Sequence, residues 1–162
     1  MSKQPWWKGH KGEWYVVIQF LLFGVVAFAP ASLPSEANWS GSWRTISIVV
    51  GLLLGAIGGL LVLAGLFYLG RNLTAVPRPK ENANMVESGA YRIVRHPIYS
   101  GIIFGSFGLG FLRGGWLALL YALILFLFFD IKSRREEAWL RERYNDYAVY
   151  QKRVRKLIPF VY

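Results

Sequence analysis

Two short polar stretches of this chain carry residue types able to do chemistry, and each abuts an apolar run. The first is Glu87-Ser-Gly-Ala-Tyr-Arg-Ile-Val-Arg-His-Pro-Ile-Tyr-Ser-Gly101, and the second is Arg134-Arg-Glu-Glu137. Polar and ionised groups at the edge of hydrocarbon are costly without a partner, which makes both stretches candidate functional sites. Proline at position 97 favours an extended His96 and suits the first position of a helix, so His96 should stand at a helix N-terminus. The unbonded N–H groups and the dipole of such a terminus attract an anion, and Arg92 and Arg95 add positive charge. A carboxylate-bearing ligand fits this corner. Adjacent Glu136 and Glu137 cannot share one helix face, so one can meet a ligand while the other is solvated or paired with an arginine. Without a ligand, the same residues read as topogenic arginines, an interfacial histidine and a solvated charge run.

The elements that must position these residues are apolar. Ile46 to Leu69 contains no charged residue and, at ~1.5 Å per residue, is long enough to cross a ~30 Å hydrocarbon core. Trp14 to Leu33 is a second such run, with Trp6, Trp7, Trp14 and Tyr15 as an interfacial belt and Pro30 and Pro34 at its far end. It is too long and too aromatic for a signal peptide. Ile98 to Leu112 and Trp116 to Ile131, separated by Arg113-Gly-Gly115, predict a helical hairpin. Short, glycine-broken helices are acceptable at membrane depth beside protein or a cavity, so the hairpin points to a pocket. It also brings the start of its first arm and the end of its second to one membrane surface, where His96, the arginines and the glutamates could surround one cavity.

The expected fold is all-α: a polytopic membrane protein treated as one membrane domain, with about four transmembrane helices, the last two a hairpin. A C-terminal amphipathic helix is expected over Asp130 to Lys156, where Leu140, Tyr144, Tyr147, Tyr150 and Val154 recur at helical steps, ending before Pro159. Gly51, Gly55, Gly58 and Gly59 predict close helix packing. Gly101, Gly105, Gly108 and Gly110 admit either packing or a ligand. The long connection with Pro77 and Pro79 is of the kind that is usually functional.

Charge sets the orientation. Lys3, Lys8 and Lys11 precede the first span, Arg71, Arg78, Lys80, Arg92 and Arg95 fill the central loop, and the C-terminal tail is basic, whereas the other connections hold only Arg44 and Arg113. The positive-inside rule then places both termini and the central loop in the cytoplasm, in the inner membrane if the cell is bacterial. Because the basic residues are sorted by loop, the net charge of +10 faces anionic membrane lipids rather than nucleic acid. The chain has no cysteine and only His10 and His96. That excludes thiolate chemistry and Cys- or His-rich metal sites, and the nine Asp and Glu residues are too dispersed for an oxygen-ligand metal.

The Arg-His-Pro-x-Tyr-x-Gly run ending at Gly101, the Glu136-Glu137 pair, Leu140, Tyr144-Asn-Asp-Tyr147, Tyr150 and Val154-Arg-Lys-Leu-Ile-Pro159 resemble the isoprenylcysteine carboxyl methyltransferase family and its phospholipid methyltransferase relatives. The resemblance covers about Val86 to Phe160. It implies an integral-membrane methyltransferase using S-adenosylmethionine, held between the last hairpin, the loop before it and the C-terminal segment. Carried over by position, Tyr91, Arg95, His96, Pro97, Tyr99 and Gly101 match the cofactor-side motif, and Glu136 and Glu137 the glutamate pair. Gly108-Leu-Gly110 is similar to the Gly-x-Gly of phospholipid N-methyltransferases, and Arg134 or Arg135 to the family's essential arginine. His96, Arg95 and the helix N-terminus would take the cofactor's carboxylate, a glutamate its ammonium, and aromatic faces such as Tyr91 or Tyr99 its sulfonium.

The implied acceptor is lipid-like or prenylated. A prenylcysteine carboxylate needs no base and would be positioned by an arginine, whereas a phospholipid amine must lose a proton and would favour a glutamate. Two other classes stay open at this level. The spacing of Tyr147, Tyr150, Val154, Ile158, Pro159 and Tyr162 is also similar to the C-terminal domain of NADPH-dependent sterol reductases, and basic loops alone would suit a non-catalytic lipid-binding protein. The oligomeric state is left open, since the second-span glycines can pack within or between chains.

Overall fold

The computed structural model describes residues 12–35, 39–70, 74 and 84–162. Trp6, Trp7, His10, Lys3, Lys8 and Lys11, and with them Arg71, Pro77, Arg78, Pro79 and Lys80, lie outside the described residues. Among the described residues there are five α-helices: α1 (Glu13–Phe28), α2 (Gly41–Leu69), α3 (Pro97–Arg113), α4 (Trp116–Arg143) and α5 (Tyr147–Arg153), with a 3-10 turn at Gly89–Arg92 before α3. The fold is all-α. α2 and α4 are long and apolar enough to cross a membrane, and α1 is a shorter apolar helix. Phe20, Leu21, Leu60, Leu63 and Phe67 are between 62% and 81% exposed, an apolar exterior that suits hydrocarbon rather than water.

α2 and α3 form the tightest pair, antiparallel along a seam of glycines. A Cβ on Gly58 would stand 2.6 Å from the Gly101 carbonyl oxygen, and one on Gly51 would stand 2.8 Å from that of Gly108. Farther along, Gly65 meets Pro97 and Ile98. The expected packing of α2 is therefore present at Gly51, Gly55 and Gly58, with Gly65 added and Gly59 outside it; Gly55 joins through its backbone, which a Cβ on Gly108 would meet at 2.8 Å. Gly55 and Gly59 have open space where a side chain would begin. The α3–α4 hairpin turns at Gly114, which caps α3 in the left-handed region at φ 67°. Two arginines secure this end. Arg44 donates to the carbonyls of Phe111 and Leu112 at 3.2 and 2.8 Å, and Arg113 donates to Val26 at 3.0 Å and to Ala29. Both thus satisfy carbonyls at helix C-termini, where cations are favoured.

The C-terminal region departs from the single helix expected over Asp130 to Lys156. α4 continues unbroken from its apolar part to Arg143, the chain is extended at Tyr144, and the seven-residue α5 ends at Arg153, well before Pro159. Asn145 and Asp146 favour turns over helix interior, and the break lets the tyrosines fold back over the loop. Tyr150 Oη donates to the Tyr91 carbonyl at 2.6 Å, and residues beyond α5 form a parallel bridge between Val94 and Arg155.

The seam yields a contrast between neighbours. Gly58→Ala should lower the melting temperature in detergent by several degrees, because backbone atoms must move apart and overpacking costs about 1–3 kcal/mol. Gly59→Ala should leave it unchanged or raise it, since helix propensity improves; equal melting of the two variants would contradict the seam.

Candidate functional site

The site begins with the strap between the loop and the C-terminal tail. Arg95 N–H donates to the Arg155 carbonyl at 2.8 Å and His96 N–H to the Lys156 carbonyl at 3.2 Å, which fixes both residues at the entry to α3. α3 starts at Pro97 with His96 as its N-cap, as the His-Pro pair predicts. The Ser100 amide and hydroxyl both donate to the His96 carbonyl at 2.9 Å. The first turn of a helix leaves N–H groups without intrahelical partners, and here that turn borders a cavity.

Opposite this corner, α4 presents the two glutamates in different directions. Glu137 is buried, and its Oε1 accepts from Arg95 Nε at 2.7 Å and from His96 Nε2 at 3.1 Å, while Oε2 accepts from Gln151 at 2.8 Å. Arg95 Nη1 also donates to the carbonyls of Gln151 at 3.1 Å and of Val154. Glu136 instead lines the cavity, accepts from Tyr99 Oη at 2.9 Å and lies 3.9 Å from His96 Nδ1. His96 stacks on Tyr99, with ring centroids 5.3 Å apart, and Tyr99 on Phe129 at 4.6 Å, so one aromatic column joins the polar corner to the apolar core.

Both carboxyls lie beyond the apolar part of α4, and their surroundings drive them apart. Burial pushes Glu137 up, but the bonds and charges of His96 and Arg95 overrule it and hold the carboxyl at about 2. For Glu136, burial is the largest effect and raises it; His96, the Tyr99 bond and Lys132 pull down without reversing that, and the Glu137 charge adds to the rise. Burial also raises the phenols of Tyr91, Tyr147 and Tyr150, which therefore stay neutral. A glutamate that is ionised at neutral pH thus orients the histidine, and a more easily protonated one faces the space a ligand would fill.

That space is a cavity of about 470 Å³. Of the residues expected at the site, Tyr91, Arg95, His96, Tyr99 and Glu136 line it, as do Leu140, Tyr144, Tyr147 and Tyr150. Several others are elsewhere. Gly101 and Gly108 pack on the α2 backbone and Gly110 on Ala118 and Leu119 of α4, so the structure uses these three for helix approach rather than for the cavity. Pro97 is buried against Gly65. Glu137 stands behind the wall, and Arg134 is largely exposed, paired with Asp130 at 2.8 Å outside the cavity. Arg92 is exposed on the 3-10 turn, and Arg135 lies over the Trp139 ring at 4.7 Å. Among the lining residues that were not anticipated, Lys132 and Gln19 stand out. Lys132 is buried, donates to Gln19 of α1 at 2.6 Å, and lies 5.1 Å from the Tyr99 ring centroid. Gln19 interrupts an otherwise apolar run in α1, a signal that was available because polar side chains inside such runs are rarely idle.

With this geometry in hand, residues 46–147 match the phospholipid methyltransferase family, and the chain belongs to it. Members of this family are S-adenosylmethionine-dependent membrane methyltransferases. The chain is 27% identical over 149 residues, 91% of its length, to the cobalt-zinc-cadmium resistance protein CzcN of Cupriavidus metallidurans. It is 33% identical over 96 residues, 57% of its length, to the protein-S-isoprenylcysteine O-methyltransferase of Schizosaccharomyces pombe. To the Homo sapiens protein-S-isoprenylcysteine O-methyltransferase it is 32% identical over 117 residues, 70% of its length. The matches cover 62%, 41% and 41% of those three relatives' own lengths.

Glu137→Gln removes one charge from a buried set and should cost about 3–5 kcal/mol. The sign with pH follows from a carboxyl held below its ordinary 4.5: the stabilisation is complete above that value and is lost as pH falls toward 2. Melting curves of wild type and variant should therefore differ most at neutral pH and converge on acidification through this window. A gap independent of pH would show that Glu137 is not the ionised partner.

Proposed function

We propose that this chain transfers a methyl group from S-adenosylmethionine to a lipophilic acceptor at the cytoplasmic face of a membrane, by isoprenylcysteine-type carboxyl O-methylation. The proposed setting is four spans with both termini and the central loop cytoplasmic, supported by the apolar exterior of the helices and the sorting of basic residues. Family membership favours methyl transfer over the sterol-reductase and lipid-binding alternatives.

The observation that carries the reading is the cavity lined by Glu136, by His96 at the first turn of α3, and by five tyrosines, Tyr91, Tyr99, Tyr144, Tyr147 and Tyr150. This donor set fits the cofactor. Glu136 suits an ammonium, the first-turn N–H groups and the adjacent Arg95 charge suit a carboxylate, and neutral aromatic faces suit a sulfonium and a purine. When bound, S-adenosylmethionine supplies an electrophilic methyl group. His96 keeps Nε2–H on Glu137, so it aligns the two glutamates instead of acting as a base. The tyrosines close the wall and exclude water, and holding the reactants in line is the main contribution the protein can make.

Lys132 bears on the acceptor. A cation on the wall attracts a carboxylate and disfavours an alkylammonium, which supports carboxyl O-methylation. Amine N-methylation of a phospholipid is the second reading, favoured by Glu136, whose raised carboxyl is better placed to accept a proton than an ordinary one.

Calorimetry on the detergent-purified chain should detect binding of S-adenosylmethionine or its demethylated product. Glu136→Gln should weaken it roughly ten- to a hundredfold, the worth of a hydrogen bond to a charged group. No wild-type binding, or preference for NADPH, would refute the assignment. With labelled cofactor, a prenylcysteine analogue should acquire a base-labile methyl ester while phosphatidylethanolamine stays unlabelled, and Lys132→Met should raise KM for the analogue about tenfold. Labelling of the amine lipid alone would establish the second reading.

A further inference from the structure

On the far side of the Arg95–Glu137 pair lies a second cavity of about 460 Å³, and its lining is cationic. Arg95, Arg134, Arg141, Arg155 and Lys156 contribute to it, with Tyr162 at its edge. Two carboxylates partly balance these five cations. Glu137 is committed to Arg95 and His96, and Asp130 accepts from Arg134 at 2.8 Å, from Tyr162 Oη at 2.8 Å and from Lys156. Asp130 thereby fixes Arg134, Lys156 and the Tyr162 hydroxyl around one point, while Arg141 and Arg155 add charge beyond what the two carboxylates neutralise. Arg141 and Arg155 are exposed to solvent, so this surplus is tolerated without a ligand and attracts an anion to the basin rather than straining the fold.

The cavity sits at the level where the apolar part of α4 ends. Tyr162 packs against Phe126 of that part, with ring centroids 6.4 Å apart, and Phe160 and Val161 next to it are 81% and 71% exposed. Phe160 adopts φ 65°, a left-handed conformation that a bulky residue rarely takes. A basic basin with an apolar lip matches the two halves of an anionic amphiphile, whose phosphate needs forked donors and whose chains need hydrocarbon.

We infer that this basin binds a phosphate group, as a lipid headgroup or as free phosphate, at a site that shares only Arg95 with the tyrosine-lined cavity and is independent of the methyl-transfer reading. The forks of Arg141 and Arg155 take the phosphate oxygens beside Lys156, and Phe160 and Val161 lie along the chains where the phosphate belongs to a lipid.

The test uses the full chain in a neutral detergent at constant ionic strength, titrated with dihexanoyl-phosphatidylglycerol, glycerol 3-phosphate or inorganic phosphate. Binding is expected for at least one of the three, above a matched chloride control. Tighter binding of the short-chain lipid identifies a headgroup as the source; equal binding of all three identifies free phosphate. Arg141→Gln/Arg155→Gln should weaken binding about thirtyfold, at roughly fivefold per basic residue. Lys152→Gln/Arg153→Gln, which removes the same charge from exposed positions outside the basin, should leave it within twofold. No binding above chloride, or equal loss in the two double variants, would overturn the site. Calorimetry with S-adenosylmethionine on the same samples reports separately on the tyrosine-lined cavity, so failure of either site is seen without the other.

Discussion

The buried ion pair between Arg95 and Glu137 is the interaction on which the arrangement of the site depends. It joins three segments of the chain: the loop before α3, the end of α4, and the end of α5, whose Gln151 and Val154 carbonyls accept from the same guanidinium. Both side chains are nearly inaccessible, at 10% and 7% exposure, so neither charge can be left without the other. The segments must therefore assemble as a set. Once they do, the backbone of His96 is tied to the tail, and α3 can start only where that tie allows.

A second constraint acts from the apolar side. The glycine seam sets the separation of α2 and α3 by backbone-to-backbone contact at Gly51–Gly108 and Gly58–Gly101. Arg44 and Arg113 pin the opposite end of the bundle by taking up helix-terminal carbonyls. Between these fixed points the column of Phe129, Tyr99 and His96 runs from core to cavity, so the position of the polar corner is inherited from the packing of the apolar one. Polar groups at this depth need such support, because a shift that unpaired them would leave charge in a medium of low dielectric.

The chemistry of the site comes from separating two like residues. Glu136 and Glu137 are neighbours in sequence, yet one is held ionised by an arginine and a histidine and the other is raised by burial, and environments that push paired carboxyls apart assign them different roles. Their two directions also divide the space around α4 into a tyrosine-lined cavity and a basic one, with Arg95 in the wall of both.

Much of this was legible in the residues themselves. The apolar runs, the helix start at His96-Pro97 and the divergence of adjacent glutamates are local properties, fixed by spacing and backbone preference. Family membership was legible for the same reason, as a run of residue types at set intervals. Tertiary structure alone decided the rest. Gly101, Gly108 and Gly110 could have faced a ligand or a helix, and only the course of α2 and α4 settled that they face helices. Glu136 rather than Glu137 borders the cavity because of the rotation of α4 against a loop some forty residues earlier. Lys132 became a wall of the site through Gln19, more than a hundred residues away. The expected long C-terminal helix breaks at Tyr144, where Asn145 and Asp146 favour a turn and α5 packs its tyrosines on the loop, with Tyr150 bonded to the Tyr91 carbonyl. A sequence specifies which faces a helix has, whereas what each face meets depends on partners brought in by the whole fold.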